Sequence, residues 1–375
     1  MSRILVLTND YPPRAGGIQF FVEALVRRLP PDEVVVYAPA WAGAAAYDAA
    51  AAYPVERHPR ALMLPVPTVA RRAREIARRY GCDRVVFGAA APLGLLAPGL
   101  REAGVRRSVG ITHGHEAGWA LVPGGRTAVR RVGAAVDVLT YLGEYTRTQI
   151  SKALAPADRA KLVQLHAGVD ADAFTPGTGR AERRAALGLG ERPVVVCVSR
   201  LVARKGQDAL IRALPAIRAG VPGAALLLVG SGPDEKRLRA LADRAGVTTD
   251  VIFSGGVSAA DLPSFYAAGD VFAMPCRTRR RGLDVEGLGM VYLEASATGL
   301  AVVAGDSGGA PDAVLAGRTG HVVDGRSPAA VADRIAGLLA DPAAAAAMGA
   351  AGRAWALAEW NWDLQAKRLL ELLEV

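Results

Sequence analysis

Cysteine is scarce in this chain, and the three present, Cys82, Cys197 and Cys276, are scattered without C-x-x-C spacing. An odd count at such distances excludes a disulfide framework and gives no thiolate zinc site, so a reducing compartment is expected. Aromatic residues make up 6% of the chain and histidines number five. No apolar run approaches the length of a membrane span, and the opening Arg3-Ile4-Leu5-Val6-Leu7-Thr8 is too short for a signal-peptide core. The expectation is a soluble or peripheral protein of the cytoplasm. Acidic residues are outnumbered 36 to 45 by Lys and Arg, which gives a formal charge of +9. That balance favours an anionic partner: nucleic acid, an anionic membrane surface or a phosphorylated substrate.

What is abundant is apolar matter, 51% of 375 residues, enough for two cores. Short β-branched or leucine-rich runs at 4–7, 34–37, 84–87, 107–111 and 136–141 alternate with helical patterns. The rhythm restarts at 193–198, 225–229, 251–253, 271–274, 301–304 and 319–323. Strand–helix alternation predicts parallel sheets, here two doubly wound Rossmann-like α/β domains in tandem. The Pro/Gly/Thr cluster from Ala173 to Arg180 reads as the linker. Ligands are expected in a cleft faced by the carboxyl ends of both sheets. The alanine-rich stretch after Asp341 predicts short terminal helices punctuated by Gly349 and Gly352.

Four segments carry chemistry. Glu286-Gly287-Leu288-Gly289-Met290-Val291-Tyr292-Leu293-Glu294 sets two carboxylates around a glycine turn and an apolar helical run. The glycines let backbone N–H groups crowd an anion at a helix start, and the carboxylates accept from hydroxyls. A sugar nucleotide has both features, although an N-capped surface helix with two solvated glutamates would read the same way. After the first strand, Asn9-Asp10-Tyr11-Pro12-Pro13-Arg14-Ala15-Gly16-Gly17-Ile18-Gln19 opens a helix expected over 20–29. Its glycine pair serves either a phosphate or simply the turn. In the second half, Arg200 and Lys205 stand in a post-strand loop where a cation pair can neutralise a departing diphosphate. Thr112-His113-Gly114-His115-Glu116 offers acid/base or metal-ligating groups, but no third ligand cluster accompanies it.

Three further features have a plainer reading beside the functional one. Asp170 and Asp172 form a D-x-D that is read as structural. The stretch 69–80 puts Val69, Ala73, Ile76 and Tyr80 on one helical face and Arg71, Arg72, Arg74, Arg78 and Arg79 on the other. This is either an ordinary sheet-covering helix or a basic amphipathic helix that meets anionic membrane. Arg277-Thr278-Arg279-Arg280-Arg281 precedes the acidic motif and suits a mobile active-site loop.

In this order the motifs resemble retaining glycosyltransferases of the GT-B architecture, the GT4-type family with the E-x7-E pattern. Within it they resemble the actinobacterial PimB-type phosphatidylinositol mannoside mannosyltransferases, through N-D-Y-P-P-x-x-G-G-I-Q, F-G-A-A-A-P-L, T-H-G-H-E, S-R-L-V-x-R-K-G-Q-D and L-D-V-E-G-L-G. The resemblance implies an acceptor-side domain over 1–173, a donor domain over 174–356 and a C-terminal helix in 357–375 packing back on the first. It implies GDP-mannose as donor and a phosphatidylinositol monomannoside as acceptor, joined in an α-1,6 linkage with the anomeric configuration kept and no cofactor or metal required. Arg200 and Lys205 would hold the diphosphate. Glu286, with the amides of Gly287, Leu288 and Gly289, and Met290 and Val291 following, would take the mannosyl group, and Glu294 the ribose. His113 would stand beside the transferring sugar, and Gly16 and Gly17, binding the donor as well, would bring backbone close to the diphosphate while lining the acceptor side with Gln19. Arg14 and the Arg279 to Arg281 run depart from that pattern. Other expectations remain open: the same scaffold with another nucleotide sugar or acceptor, a sugar-nucleotide 2-epimerase, or a non-catalytic basic protein. The loaded donor motifs weigh against the last and against a nucleic-acid partner.

Overall fold

The computed structural model describes residues 3–374 and contains two compact units, Met1–Gly168 with Trp362–Val375, and Val169–Asn361. In the first unit β1 (Arg3–Leu7), β2 (Val34–Pro39), β3 (Val55–His58), β4 (Cys82–Phe87), β5 (Arg107–Gly110), β6 (Val138–Tyr141) and β7 (Leu162–Gln164) form one parallel sheet in the order β3-β2-β1-β4-β5-β6-β7. Ile4, Leu5, Val6 and Leu7 register with Val34 to Tyr37 on one side and with Arg84 to Phe87 on the other. The β1 and β2 runs are almost wholly buried, as helices on both faces of a parallel sheet require.

β3 and β7 were not expected. Both are edge strands, Val-Glu-Arg-His and Leu-Val-Gln, and both are half-exposed throughout. With one face and one edge in solvent, neither needs the apolar run that marks an interior strand.

The second unit holds β8 (Val194–Val198), β9 (Ala225–Val229), β10 (Val251–Gly255), β11 (Val271–Met274), β12 (Ala301–Gly305) and β13 (Gly320–Val323), all parallel, in the order β10-β9-β8-β11-β12-β13. In each sheet the chain steps one way from the first strand and then back past it, so the order reverses between β1 and β4 and between β8 and β11. At such a reversal the post-strand loops part and leave room at the carboxyl edge.

Several boundaries differ from the sequence expectation. The segment 173–180 is part of the second unit: Phe174 is buried edge-to-face on Tyr266, its carbonyl accepts from Arg353, and Arg180 starts the Arg180–Ala186 helix. Val169 already belongs to this unit, its N–H donating to the Trp360 carbonyl. Asp170 Oδ1 accepts from the amides of Asp172 and Ala173, which makes the D-x-D a turn. The alanine-rich stretch is one 18-residue helix, Pro342–Glu359, whose glycine at 349 is needed for close packing. A Cβ on Gly349 would lie 1.9 Å from the Gly299 carbonyl oxygen.

The last helix is Trp362–Leu372, shorter than the 357–375 expected, since 357–359 end the preceding helix. Residue 375 lies outside the described residues. Trp362 is fully buried, edge-to-face with Phe20 and Phe21 of the Gly17–Val26 helix at 5.9 and 5.3 Å. Its ring also covers Gly168, where a Cβ would come within 2.5 Å of it. Arg107 Nε donates to the Leu372 carbonyl, tying the helix end to β5. Trp362→Ala is therefore expected to destabilise the first unit by about 3–5 kcal/mol. Chemical denaturation checks this, and a loss under about 1 kcal/mol would show that the helix is dispensable to that core.

Candidate active site

At the carboxyl edge of the first sheet three loops meet, after β1, β4 and β5. The glycine pair opens the helix three residues earlier than expected: Gly16 precedes it and Gly17 is its first residue. A Cβ on Gly16 would lie 2.1 Å from Gln19 Oε1, because the Gln19 side chain folds back over that backbone. Gln19 is buried, and its amide Nε2 donates to Asp10 Oδ1 at 2.8 Å. Its polar end is thus committed to Asp10, a residue that sequence reading did not single out. Burial pushes the Asp10 carboxyl up, against the opposing pull of Arg14 and His115. Its place three residues beyond the apolar β1 run, at the switch point, is the signal that could have marked it.

His113 follows β5. Its Nε2 lies 2.5 Å from the Gly88 carbonyl oxygen, an acceptor only, so the ring proton sits on Nε2 and the lone pair on Nδ1. Phe21 packs edge-on against the ring at 4.9 Å. The His113 amide donates to the buried Glu116 carboxylate across Gly114, which adopts a left-handed φ of 93°. Burial pulls the His113 pKa down to about 4. Glu116 serves this turn and pairs with His115 at 3.3 Å. Among the described residues no group of His, Cys, Asp and Glu side chains converges as a metal site.

The second sheet presents the loops after β8, β11 and β12. Lys205 ends a short 3-10 turn, Ala203–Lys205, and Gly206 takes a left-handed φ of 83° against the Pro275 carbonyl, where no side chain would fit. Lys205 is buried and its Nζ lies 2.7 Å from Glu286 Oε2, with Arg204 Nε at 3.7 Å from the same oxygen. Arg200 is exposed, and among the described residues it pairs with no carboxylate. Its carbonyl accepts from Gln207, which also bonds Ser199. The two cations are thus unlike: Lys205 is joined to Glu286, while Arg200 is open to solvent.

Glu286 does not stand at a helix entrance, as expected, but in a loop four residues ahead of the Met290–Ala297 helix. Its carbonyl accepts from the Gly309 amide, and a Cβ on Gly308 or Gly309 would lie 2.1 Å from the carbonyl oxygens of Glu286 and Gly287 respectively. Two loop backbones therefore touch. Leu288 is buried, and Gly289 caps the helix at φ 87° with Tyr292 beneath it. Met290 and Val291 form the first turn. Glu294, one turn on, is partly buried, and the Tyr266 hydroxyl donates to its Oε2 at 2.5 Å.

The basic segments are less free than their sequence suggests. Arg277 is held bidentately by Asp208 at 2.8 and 2.9 Å. Arg280 and Arg281 take left-handed φ values of 49° and 55°, a conformation that costs non-glycine residues roughly 1–2 kcal/mol each. The backbone there asks for what glycine supplies, which is the departure noted above. The helix Pro67–Tyr80 buries Val69, Ala73, Ile76 and Ala77. Arg72 and Arg79 share Glu56, Arg71 lies 3.7 Å from Glu75 and Arg74 3.9 Å from Glu102. Arg78 carries no ion pair among the described residues. No single helix among these residues is long and apolar enough to cross a membrane.

Two family models cover most of the chain: Glycosyltransferase Family 4 over residues 15–173 and Glycosyl transferases group 1 over residues 179–355. The chain belongs to this family of glycosyltransferases. It is 54% identical, over 99% of its length and 98% of the relative's, to the GDP-mannose-dependent alpha-(1-6)-phosphatidylinositol monomannoside mannosyltransferase of Mycolicibacterium smegmatis. It is 46% identical, over 99% and 98%, to the GDP-mannose-dependent monoacylated alpha-(1-6)-phosphatidylinositol monomannoside mannosyltransferase of Corynebacterium glutamicum. Among solved structures, Anabaena Alr3699/HepE in complex with UDP superposes with a TM-score of 0.82 at 22% identity over 99% of both chains, a likeness of fold.

The depressed His113 pKa has a definite sign. The unfolded imidazole binds a proton below about 6.5 and the folded one only near 4, so stability is fully present above about pH 6.5 and is lost as pH falls toward 4. NMR titration should find this ring neutral, with the proton on Nε2, at pH about 5; a midpoint above about 6 would contradict desolvation of the ring.

Proposed function

We propose that this enzyme transfers mannose from GDP-mannose to a phosphatidylinositol monomannoside, forming an α-1,6 bond with retention. The observation that carries the proposal is the Lys205–Glu286 pair beside the glycine turn at the β8/β11 switch point. There a cation for a diphosphate and a carboxylate for sugar hydroxyls are built against each other. Two relatives that bear this activity in their names, at 54% and 46% identity over nearly the whole chain, support it.

The donor is assigned to the second unit. Arg200, exposed and without an ion pair among the described residues, and Lys205 receive the diphosphate, and the backbone N–H groups of Gly287 to Gly289 approach it just ahead of the helix that starts at Met290. When the diphosphate draws Lys205 toward itself, Glu286 is left to accept from mannosyl hydroxyls. Glu294 takes the ribose. The acceptor is assigned to the first unit, with Gly16, Gly17, Asp10 and His113. A neutral His113 with its lone pair on Nδ1 accepts from an acceptor hydroxyl. Gln19 acts through Asp10 rather than by direct contact.

Retention follows from same-face attack. As the anomeric C–O bond breaks, the departing diphosphate oxygen takes the acceptor's proton, and Arg200 and Lys205 stabilise its growing charge. The charge is carried by these side chains, and the proposal requires no metal. A cytoplasmic location with peripheral contact to anionic membrane is part of the proposal, with Arg78 and the exposed Arg71 and Arg79 as contacts. Leu62, Leu64 and Val66, exposed just before that helix, add apolar surface.

Separate calorimetric titrations with GDP-mannose, UDP-glucose and UDP-N-acetylglucosamine test the donor: selective GDP-mannose binding is expected, and selective UDP-sugar binding would overturn it. Lys205→Ala and Glu294→Ala should each lower mannosyl transfer by about 10²–10³-fold while remaining folded by circular dichroism, Lys205→Ala with a lower denaturation midpoint because it leaves Glu286 buried without its partner; full activity in either would remove that residue from the site. Binding to anionic vesicles should weaken with salt and exceed binding to neutral vesicles, and equal binding to both would refute the electrostatic contact.

A further inference from the structure

Glu294 makes one side-chain hydrogen bond among the described residues, from the Tyr266 hydroxyl to Oε2 at 2.5 Å. Tyr266 lies in the Leu262–Ala267 helix and is fully buried. Phe174 packs edge-to-face on its ring at 5.5 Å and Phe272 stacks at 5.7 Å with an interplanar angle of 27°. A tyrosine wedged in this way has both side-chain torsions locked, so the position of its hydroxyl oxygen is set by the core and the O–H turns to the carboxylate beside it. The carboxylate it meets sits on a short helix whose start depends on the left-handed Gly289.

We infer that Tyr266 is a positioning residue for nucleotide recognition: by occupying Oε2 it fixes the Glu294 rotamer and leaves Oε1 to accept from the ribose hydroxyls. The inference rests on the assignment of the ribose to Glu294. Burial pushes the Glu294 carboxyl up, and the bond from Tyr266 pulls it back down. The bond therefore favours the anion where desolvation disfavours it. An anionic carboxylate accepts from two donors, one at each oxygen, whereas a protonated one must donate from one of them.

The test is calorimetric titration of the full chain at near-neutral pH with GDP, 2′-deoxy-GDP and 3′-deoxy-GDP. Wild type should prefer GDP over at least one deoxy analogue by roughly 10–100-fold, the value of a charge-assisted hydrogen bond. Glu294→Ala should reduce that preference to under about threefold, and so should Tyr266→Phe, with affinity for the deoxy analogue retained. Full preference in Glu294→Ala, or none in wild type, would overturn the ribose assignment itself. Loss of preference in Glu294→Ala but not in Tyr266→Phe would overturn the role of Tyr266 alone. Equal weakening of all three ligands by Tyr266→Phe would make Tyr266 a core residue only, and also overturns it. A variant with difluorotyrosine at 266 keeps the O–H and the ring shape while strengthening the donor. In it, the pH at which the GDP preference disappears should move down from the wild-type value; an unmoved pH would count against the bond.

Discussion

Much of the second unit is organised around one ion pair, Lys205 with Glu286, both buried and 2.7 Å apart. Neither charge tolerates burial alone: Glu286 offsets the desolvation of Lys205, and Lys205 that of Glu286 with Arg204 at 3.7 Å beside it. The pair therefore fixes the loop after β8 against the loop after β11. Its geometry rests on glycines: Gly206 turns the chain under Pro275, and Gly308 and Gly309 let the loop after β12 lie against the Glu286 and Gly287 carbonyls. Three post-strand loops are thereby locked at one edge of the sheet. A ligand diphosphate would replace one partner of an existing charge pair rather than neutralise an isolated buried lysine.

Among the described residues the first unit has no buried Lys or Arg ion pair at its switch point. Its carboxyl edge is held by hydrogen bonds between polar groups and backbone: Gln19 to Asp10, His113 to Gly88, the His113 amide to Glu116. Arg57 adds a fixed point, donating to the Pro12 and Pro39 carbonyls and to Asp48. The loop that carries Asp10, Gly16 and Gly17 is thus fastened from outside, and Asn9 fastens it again through reciprocal bonds with Met63. Preorganisation of this kind lets a neutral histidine and a carboxyl of raised pKa keep their places near an edge that must admit a substrate.

Basic character divides along similar lines. Many arginines that give the chain its charge of +9 are consumed internally. Arg277 grips Asp208, Arg184 serves the carbonyls of Gly190, Arg192 and Ala268, and Arg72 and Arg79 converge on Glu56. Net charge thus overstates the free positive surface of the Pro67–Tyr80 helix. Arg200, by contrast, stays open at the edge where a diphosphate is to be received.

The interior strands, the tandem doubly wound plan and the motif positions at strand ends were legible in the sequence, because buried parallel strands need continuous apolar runs and glycine is required wherever backbones touch. The edge strands β3 and β7 were not, since an edge imposes little composition. The docking of 173–180 was hidden as well: a Pro/Gly cluster looks like a linker until Phe174 is seen against Tyr266. The partners of the site residues were decided by tertiary structure alone. Nothing in the spacing of Glu286 and Glu294 says that one faces Lys205 and the other Tyr266, residues 81 and 28 positions away. Spacing along a chain fixes which residues share a helix face or a turn, whereas contacts between loops from different strands depend on strand order, which only the folded sheet establishes.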